Sequence, residues 1–294
     1  MSGLFWLFAG VLVLVLLVLA AVRRRKPGLA TIPVVSMSGT ISYSDDESSL
    51  FAQFTKNLYK ASDLAPPAMI VRINSPGGTV GASQALYDAL LKMRARGIKV
   101  VALMEDVAAS GGFYLAMGAD KVIAHPGTVT GSIGVIMQSY EYSKVLEALG
   151  VNVQTVKSGP FKDTMSPARP MRPDEQDLLQ GLITDTYAQF CDVIATARGL
   201  SLDTVHAFAD GRIMTGRQAA RWGLVDQLGS LDDAQRTAEK LAGLPPGQSR
   251  LLIIVNKQPF LRRFRLLGGA RAWLERALPE AALSGLPLWL LPRR

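Results

Sequence analysis

The 294 residues are 49% hydrophobic and 19% charged, a length that buries a substantial core and a composition that excludes intrinsic disorder, collagen-like repetition and a disulfide scaffold. A single cysteine, Cys191, and two histidines, His125 and His206, leave no internal disulfide and essentially no Cys/His zinc site. The net charge of +8 divides into +4 at residues 23–26, +5 from residue 260 onward and −1 between them, a distribution that fits anionic lipid better than a nucleic-acid groove.

In chain order, residues 3–22 are twenty residues without a charge, enough to cross a bilayer as a helix and lacking the polar face of a buried core helix. A cleaved secretory signal is the rival reading. It is weakened by the missing basic n-region and by the 23–26 cluster standing where a small-residue cleavage site belongs. That cluster, following the span, puts the rest of the chain on the cytoplasmic side by the positive-inside tendency.

After Pro27, short β-like runs at 32–37, 68–73, 100–104, 121–124, 152–156 and 251–255 alternate with helical stretches, among them 81–96 and 174–198. In the last, Leu179, Leu182, Ile183, Phe190, Val193, Ile194 and Ala197 share a face, with Pro173 at its start and Gly199 as its C-terminal cap. The alternation predicts an α/β fold with largely parallel strands covered by helices. Without a long repeat or low-complexity linker, residues 28–256 read as one catalytic-type domain, flanked by an anchor at 1–27 and a tail at 257–294. In the tail, aromatic and leucine residues interleave with arginines. Such a segment suits either a membrane interface or a terminal helix packed on the domain or on a neighbouring subunit.

Three loops that follow strands carry candidate chemistry. Asn74-Ser75-Pro76-Gly77-Gly78 offers backbone N–H groups unobstructed by Cβ atoms, fit for a phosphate, a carboxylate or a developing oxyanion, although an ordinary tight turn explains it as well. It is no P-loop, since no Gly-Lys-Ser/Thr follows. Ser110, within Ala108-Ala109-Ser110-Gly111-Gly112, sits at a strand-to-helix junction with the Gly111 N–H beside it, and simple helix capping is the plain alternative. Ala108 breaks the Gly-x-Ser-x-Gly elbow. Neither histidine has an obvious orienting carboxylate, which leaves lysine as a candidate base once its pKa is lowered. Lys162, in the constrained loop 157–163 with Lys157 nearby, is such a lysine.

These motifs, together with Thr-Gly-Ser-Ile-Gly at 130–134 and the stretch 211–226, resemble in order the bacterial signal peptide peptidase A family in its short form, from about residue 31 to 245. The resemblance implies a serine/lysine protease on a ClpP/crotonase-like α/β fold, which the run at 3–22 precedes as one N-terminal transmembrane helix. It implies Ser110 as nucleophile and Lys162, the second lysine of its motif, as general base. Ser132 would orient the lysine amine, and Gly78 with Gly111 would donate to the oxyanion, with Gly77 as a one-position alternative to Gly78. No cofactor, metal or nucleic acid is implied. The implied substrates are remnant signal peptides or other apolar peptides in the membrane. Membrane lipid is the implied environment, and a single-pass location in the bacterial cytoplasmic membrane follows, with the catalytic domain outside despite the charge rule. The implied assembly is a homo-oligomer in which the lysine meets the serine of an adjacent subunit, so that an isolated monomer is inactive. ClpP itself has a similar Asn-Ser-Pro-Gly-Gly loop but uses a histidine triad, and no His-Gln motif follows Ser110. A crotonase-like acyl-CoA enzyme, which needs a carboxylate base, and a non-catalytic membrane scaffold are the rival classes.

Overall fold

The computed structural model describes residues 29–44 and 46–255, and the backbone of 288–290. β1 (Ala30–Ser38) is followed by α1 (Leu50–Ser62), whose first turn is capped by the Ser49 side chain accepting from the Ala52 N–H. β2 (Ala68–Ser75) leads through a tight turn into β3 (Gly77–Thr79) and directly on into α2 (Val80–Ala95). β4 (Lys99–Ala109) ends at Ser110 on the short helix α3 (Gly111–Ala116), and β5 (Lys121–Ala124) and β6 (Val129–Gly131) follow. An exposed arm holding α4 (Ser143–Ala148) then reaches the long α5 (Pro173–Arg198). The domain continues through α6 (Leu202–His206), β7 (Ile213–Thr215), α7 (Gly216–Arg221), β8 (Gln227–Leu228), α8 (Leu231–Leu241) and β9 (Ser249–Ile253). A final strand, β10 (Leu288–Leu290), stands apart in sequence.

The main sheet runs β7-β6-β4-β2-β1-β9, with β5 beside the first half of β4 and β8 beside β5. Every pair in it is parallel except β6 with β7. Its central strands are buried on both faces, which is why they read as apolar runs rather than as clean alternation. One face packs Ile32, Val34, Ala68, Ile70, Val101 and Leu103 against Ala234 and Ala238 of α8. The opposite face packs Val35, Met37, Val71, Ile73, Ala102 and Met104 with Phe54, Leu58, Leu86, Leu90 and Phe113 from α1, α2 and α3. This two-sided cover fixes the C-terminal ends of β2, β4 and β6 at one edge, where ligands of parallel sheets are usually met.

Two predicted elements differ from what is seen. Residues 151–157 form no strand and are exposed, because their apolar side chains find no cover among the described residues. Along α5, Phe190 and Ile194 are buried, and Phe190 meets the Tyr114 ring edge-on at 5.1 Å, but Leu182 is 45% exposed. Leu179 and Ile183 line an open pocket of about 300 Å³ of mixed polarity with Gln176, Gln180, Val135, Ile136, Met137 and Met171. The helix carries a longer apolar stripe than the described residues cover.

The expected transmembrane helix is corrected. Among the described residues no helix is long and apolar enough to cross a membrane. α5 has the length, with 26 residues, but it carries Asp174, Glu175, Asp177, Asp185, Asp192 and Arg198. The expected span at 3–22, and residues 257–287 and 291–294 of the expected tail, lie outside the described residues. The fold is therefore an α/β domain with a mixed, mostly parallel sheet and flanking helices. The membrane anchor, the membrane-lipid partner, the single-pass location and the picture of a protease working on peptides in the membrane are set aside with that helix.

Candidate active site

The turn after β2 is built by its own side chains. Asn74 accepts from the Val107 N–H at 3.2 Å and donates to Asp106 at 3.3 Å, bridging the point where the β2–β4 register shifts. The buried Ser75 hydroxyl accepts from the Gly77 N–H at 3.1 Å. β3 is then clasped by Ile41, whose N–H donates to Gly77 O and whose carbonyl accepts from the Thr79 N–H, each at 2.8 Å. That clasp leaves no room for a side chain at 78: a Cβ there would lie 1.7 Å from Ile41 O. The other edge of β3 pairs antiparallel with β10, with Gly78 opposite Trp289.

Ser110 sits where β4 stops. Its N–H donates to Gly131 O and its carbonyl accepts from the Tyr114 N–H, both at 2.8 Å, and its backbone is held at φ 52°, ψ −118°. A non-glycine residue there is strained, at a typical cost of about 1–3 kcal/mol. Helix capping does not explain the serine, because its side chain makes no capping bond. The Ser110 Oγ is buried and has no hydrogen-bond partner among the described residues. Gly111 follows in close approach to the turn: a Cβ on it would lie 2.3 Å from Ser83 Oγ and 3.2 Å from the Gly78 nitrogen. The structure thus brings Gly78, Ser110 and Gly111 together. Ser132 joins them from β6, one residue beyond the Ala109–Gly131 pair, and it also has positive φ, at 51°.

Lys162 is not brought to Ser110 within one chain, since the serine hydroxyl is unpartnered and Lys162 is exposed. It lies on a turn closed by its own N–H to Gly159 O at 3.2 Å. The two lysines of the loop differ. Lys157 is spent on Asp163 at 2.5 Å and on Pro160 O at 3.2 Å, whereas the Lys162 amine pairs with no carboxylate among the described residues. The arm leading to this turn exposes Tyr140, Val145, Leu149 and Val153, and leaves Val156 fully exposed. An apolar run of this kind marks an interaction surface.

Of the remaining nucleophile and base candidates, His206 stacks on Tyr187 at 6.1 Å, His125 is exposed and uses only its backbone to close a turn with Thr128, and burial pushes the Cys191 thiol up. Among the described residues no group of three or more His, Cys, Asp and Glu is placed to hold a metal ion. The sequence reading missed the charged cluster behind the Lys162 turn: Asp163, Arg169, Arg172, Asp174 and Glu175. The available signal was Glu175 two residues after Pro173, the mark of a helix whose first turn is capped from within.

The profile of Peptidase family S49 matches residues 92–245, and that of Clp protease matches residues 41–131. A protein of Synechocystis sp., named "Putative protease slr0021", is 45% identical over 239 residues, which cover 76% of this chain and 84% of that protein. The "Putative signal peptide peptidase SppA" of Enterococcus faecium is 37% identical over 214 residues, or 70% of this chain and 62% of that protein. Among solved structures, a ClpP1 mutant from Listeria monocytogenes superposes with a TM-score of 0.47 at 18% identity, covering 68% of this chain and 93% of that one.

Proposed function

This chain belongs to peptidase family S49 and is a serine protease, and from that premise we propose that it cleaves extended peptides with a Ser110–Lys162 dyad completed between subunits. The observation that carries the reading is the Ser110 hydroxyl: buried, strained, uncapping and without a partner among the described residues, beside two glycines, Gly78 and Gly111, packed too closely to admit a side chain.

In this reading the neutral Lys162 amine removes the Ser110 proton as Oγ bonds to the carbonyl carbon of the substrate. The C=O electron pair moves onto oxygen, and the N–H groups of Gly78 and Gly111 hold the resulting oxyanion. Collapse breaks the C–N bond, with the lysine ammonium giving its proton to the leaving amine. Water then repeats the sequence on the acyl-enzyme, releasing the acid and restoring the serine. Ser132, beside Ser110, orients the amine. The substrate lies as a strand against β3, the position that β10 takes in antiparallel pairing, so that main-chain bonds supply affinity.

The working unit is a homo-oligomer in which Ser110 meets Lys162 of the partner subunit. The exposed apolar arm and the lack of a Ser110 partner within one chain both favour this. Ser110→Ala and Lys162→Ala chains are each inactive alone. Co-refolded in equal amounts, they regain activity at about one quarter of the sites, the fraction of interfaces that keep both groups when mixing is random. A mixture that stays inactive while it assembles would contradict a dyad shared between chains.

A further inference from the structure

The turn that carries Lys162 is gripped from both sides by side chains anchored at the start of α5. Arg169 spreads its guanidinium over two carboxylates at once. Toward Asp163 it makes Nε–Oδ2 at 3.0 Å, Nη2–Oδ1 at 2.9 Å and Nη2 to the backbone carbonyl at 3.2 Å. Toward Glu175 it makes Nη1–Oε2 at 2.9 Å and Nη2–Oε1 at 2.5 Å. Glu175 is completely buried, and its Oε2 also accepts from the Arg172 N–H at 2.9 Å, so the first turn of the helix fixes its place. On the other side of Lys162, Arg172 donates to Pro160 O at 3.1 Å and lies 5.7 Å from the centre of the Phe161 ring. A continuous chain of contacts therefore runs from the α5 backbone through Glu175, Arg169 and Asp163 to the peptide bond of Lys162.

We propose that Arg169 is a positioning residue for Lys162, holding the turn that bears its amine against the N-terminus of α5. The proposal rests on the reading of Lys162 as general base. Only a planar fork serves here, because a lysine can supply the charge but not bonds to Asp163 and Glu175 in one plane.

The same cluster has an electrostatic consequence. Asp163 is the nearest carboxylate to Lys162 in sequence, and uncompensated it favours the protonated amine that cannot act as a base. Besides Lys162 itself, the charged groups of the turn and of the start of α5 are Lys157, Asp163, Arg169, Arg172, Asp174 and Glu175, three of each sign. Arg169 first and then Lys157 hold the Asp163 carboxyl well below its usual range, so it remains an anion that stays neutralised. Removing Arg169 leaves these groups with one net negative charge and Asp163 without its main partner. Removing the charge of Glu175 leaves them with one net positive charge.

The test measures kcat and KM against pH for the full-length protein on a quenched fluorescent peptide, using Arg169→Gln, Arg169→Lys, Glu175→Gln and Lys162→Ala. Thermal melting and gel filtration check folding and assembly. Arg169→Gln is expected to lower kcat about 100-fold at near-constant KM, the cost of a misplacement of about 1 Å, and to move the acidic limb of the profile to higher pH. Glu175→Gln moves that limb to lower pH and serves where Arg169→Gln fails to fold. Arg169→Lys returns the limb to its original pH but leaves kcat depressed. Unmoved limbs in the folded variants, or an Arg169→Gln enzyme with full kcat, overturn the proposal. An active Lys162→Ala enzyme overturns the reading beneath it. An inactive one beside a fully active Arg169→Gln removes the positioning role alone.

Discussion

Gly78→Ala separates a site built by close approach from an ordinary turn. A Cβ at 78 would stand 1.7 Å from Ile41 O, 2.5 Å from Ile41 C and 2.7 Å from Ile41 N, all backbone atoms that no rotamer change can move. A carbon–oxygen contact needs about 3.3 Å, so β3 or the Ile41 peptide must give by about 1.5 Å. Overpacking of this kind costs about 1–3 kcal/mol and lowers Tm by several degrees. The same shift carries the Gly78 nitrogen away from Gly111. Loss of one oxyanion donor lowers kcat about 10²–10³-fold. Steady-state kinetics on a fluorescent peptide and calorimetric melting check both effects. The control is Gly181→Ala in α5, where a Cβ meets nothing within 4 Å. It gains about 1 kcal/mol of helix stability and leaves kcat unchanged. A Gly78→Ala enzyme that melts and turns over like the parent would refute the close-approach argument.

Ser110→Ala abolishes turnover yet stabilises the isolated chain by about 1 kcal/mol, because it removes a buried hydroxyl without a partner. A lower Tm in that variant would count against the described environment of the hydroxyl. Acid stability follows the cluster behind the Lys162 turn. Arg169 lowers the Glu175 pKa from its ordinary 4.5 to about 2 in spite of burial, and Asp163 is held below its ordinary value by Arg169 and Lys157. Because the folded-state values lie below the unfolded ones, their stabilisation is complete above about pH 4.5 and fades as pH falls toward 2. Melting from pH 6 to 2 is expected to show a steeper loss for the parent than for Glu175→Gln; equal slopes would deny the carboxylate this part.

The sheet was legible wherever burial imposes an apolar run. β1, β2, β4 and β5 lie over the predicted 32–37, 68–73, 100–104 and 121–124, and α5 starts and ends at its proline and glycine signals. β3, β6, β7 and β8 were not legible, because two or three residues cannot display a period. The run at 152–156 misled, since its apolar pattern faces outward on the arm instead of toward the core. The membrane helix was inferred from a hydrophobic stretch alone, and the described helices provide none. At the site, Ser110 stood out as a serine among small residues at a strand end. Its pairing with Lys162 came from the resemblance, because the two groups do not meet within one chain. The S49 relationship and the serine protease activity are borne out. Arg169 and Glu175 went unseen because a fork between two carboxylates is a property of the folded turn rather than of residue spacing.

The most direct test is covalent labelling followed by intact-mass and peptide-mass spectrometry. The assembled protein is treated with a fluorophosphonate probe at neutral pH, beside Ser110→Ala and Lys162→Ala. The account predicts one adduct per chain, located on Ser110, absent from Ser110→Ala and formed at least about 100-fold more slowly in Lys162→Ala. An adduct on another residue, or undiminished labelling of Lys162→Ala, would contradict a serine nucleophile activated by a lysine.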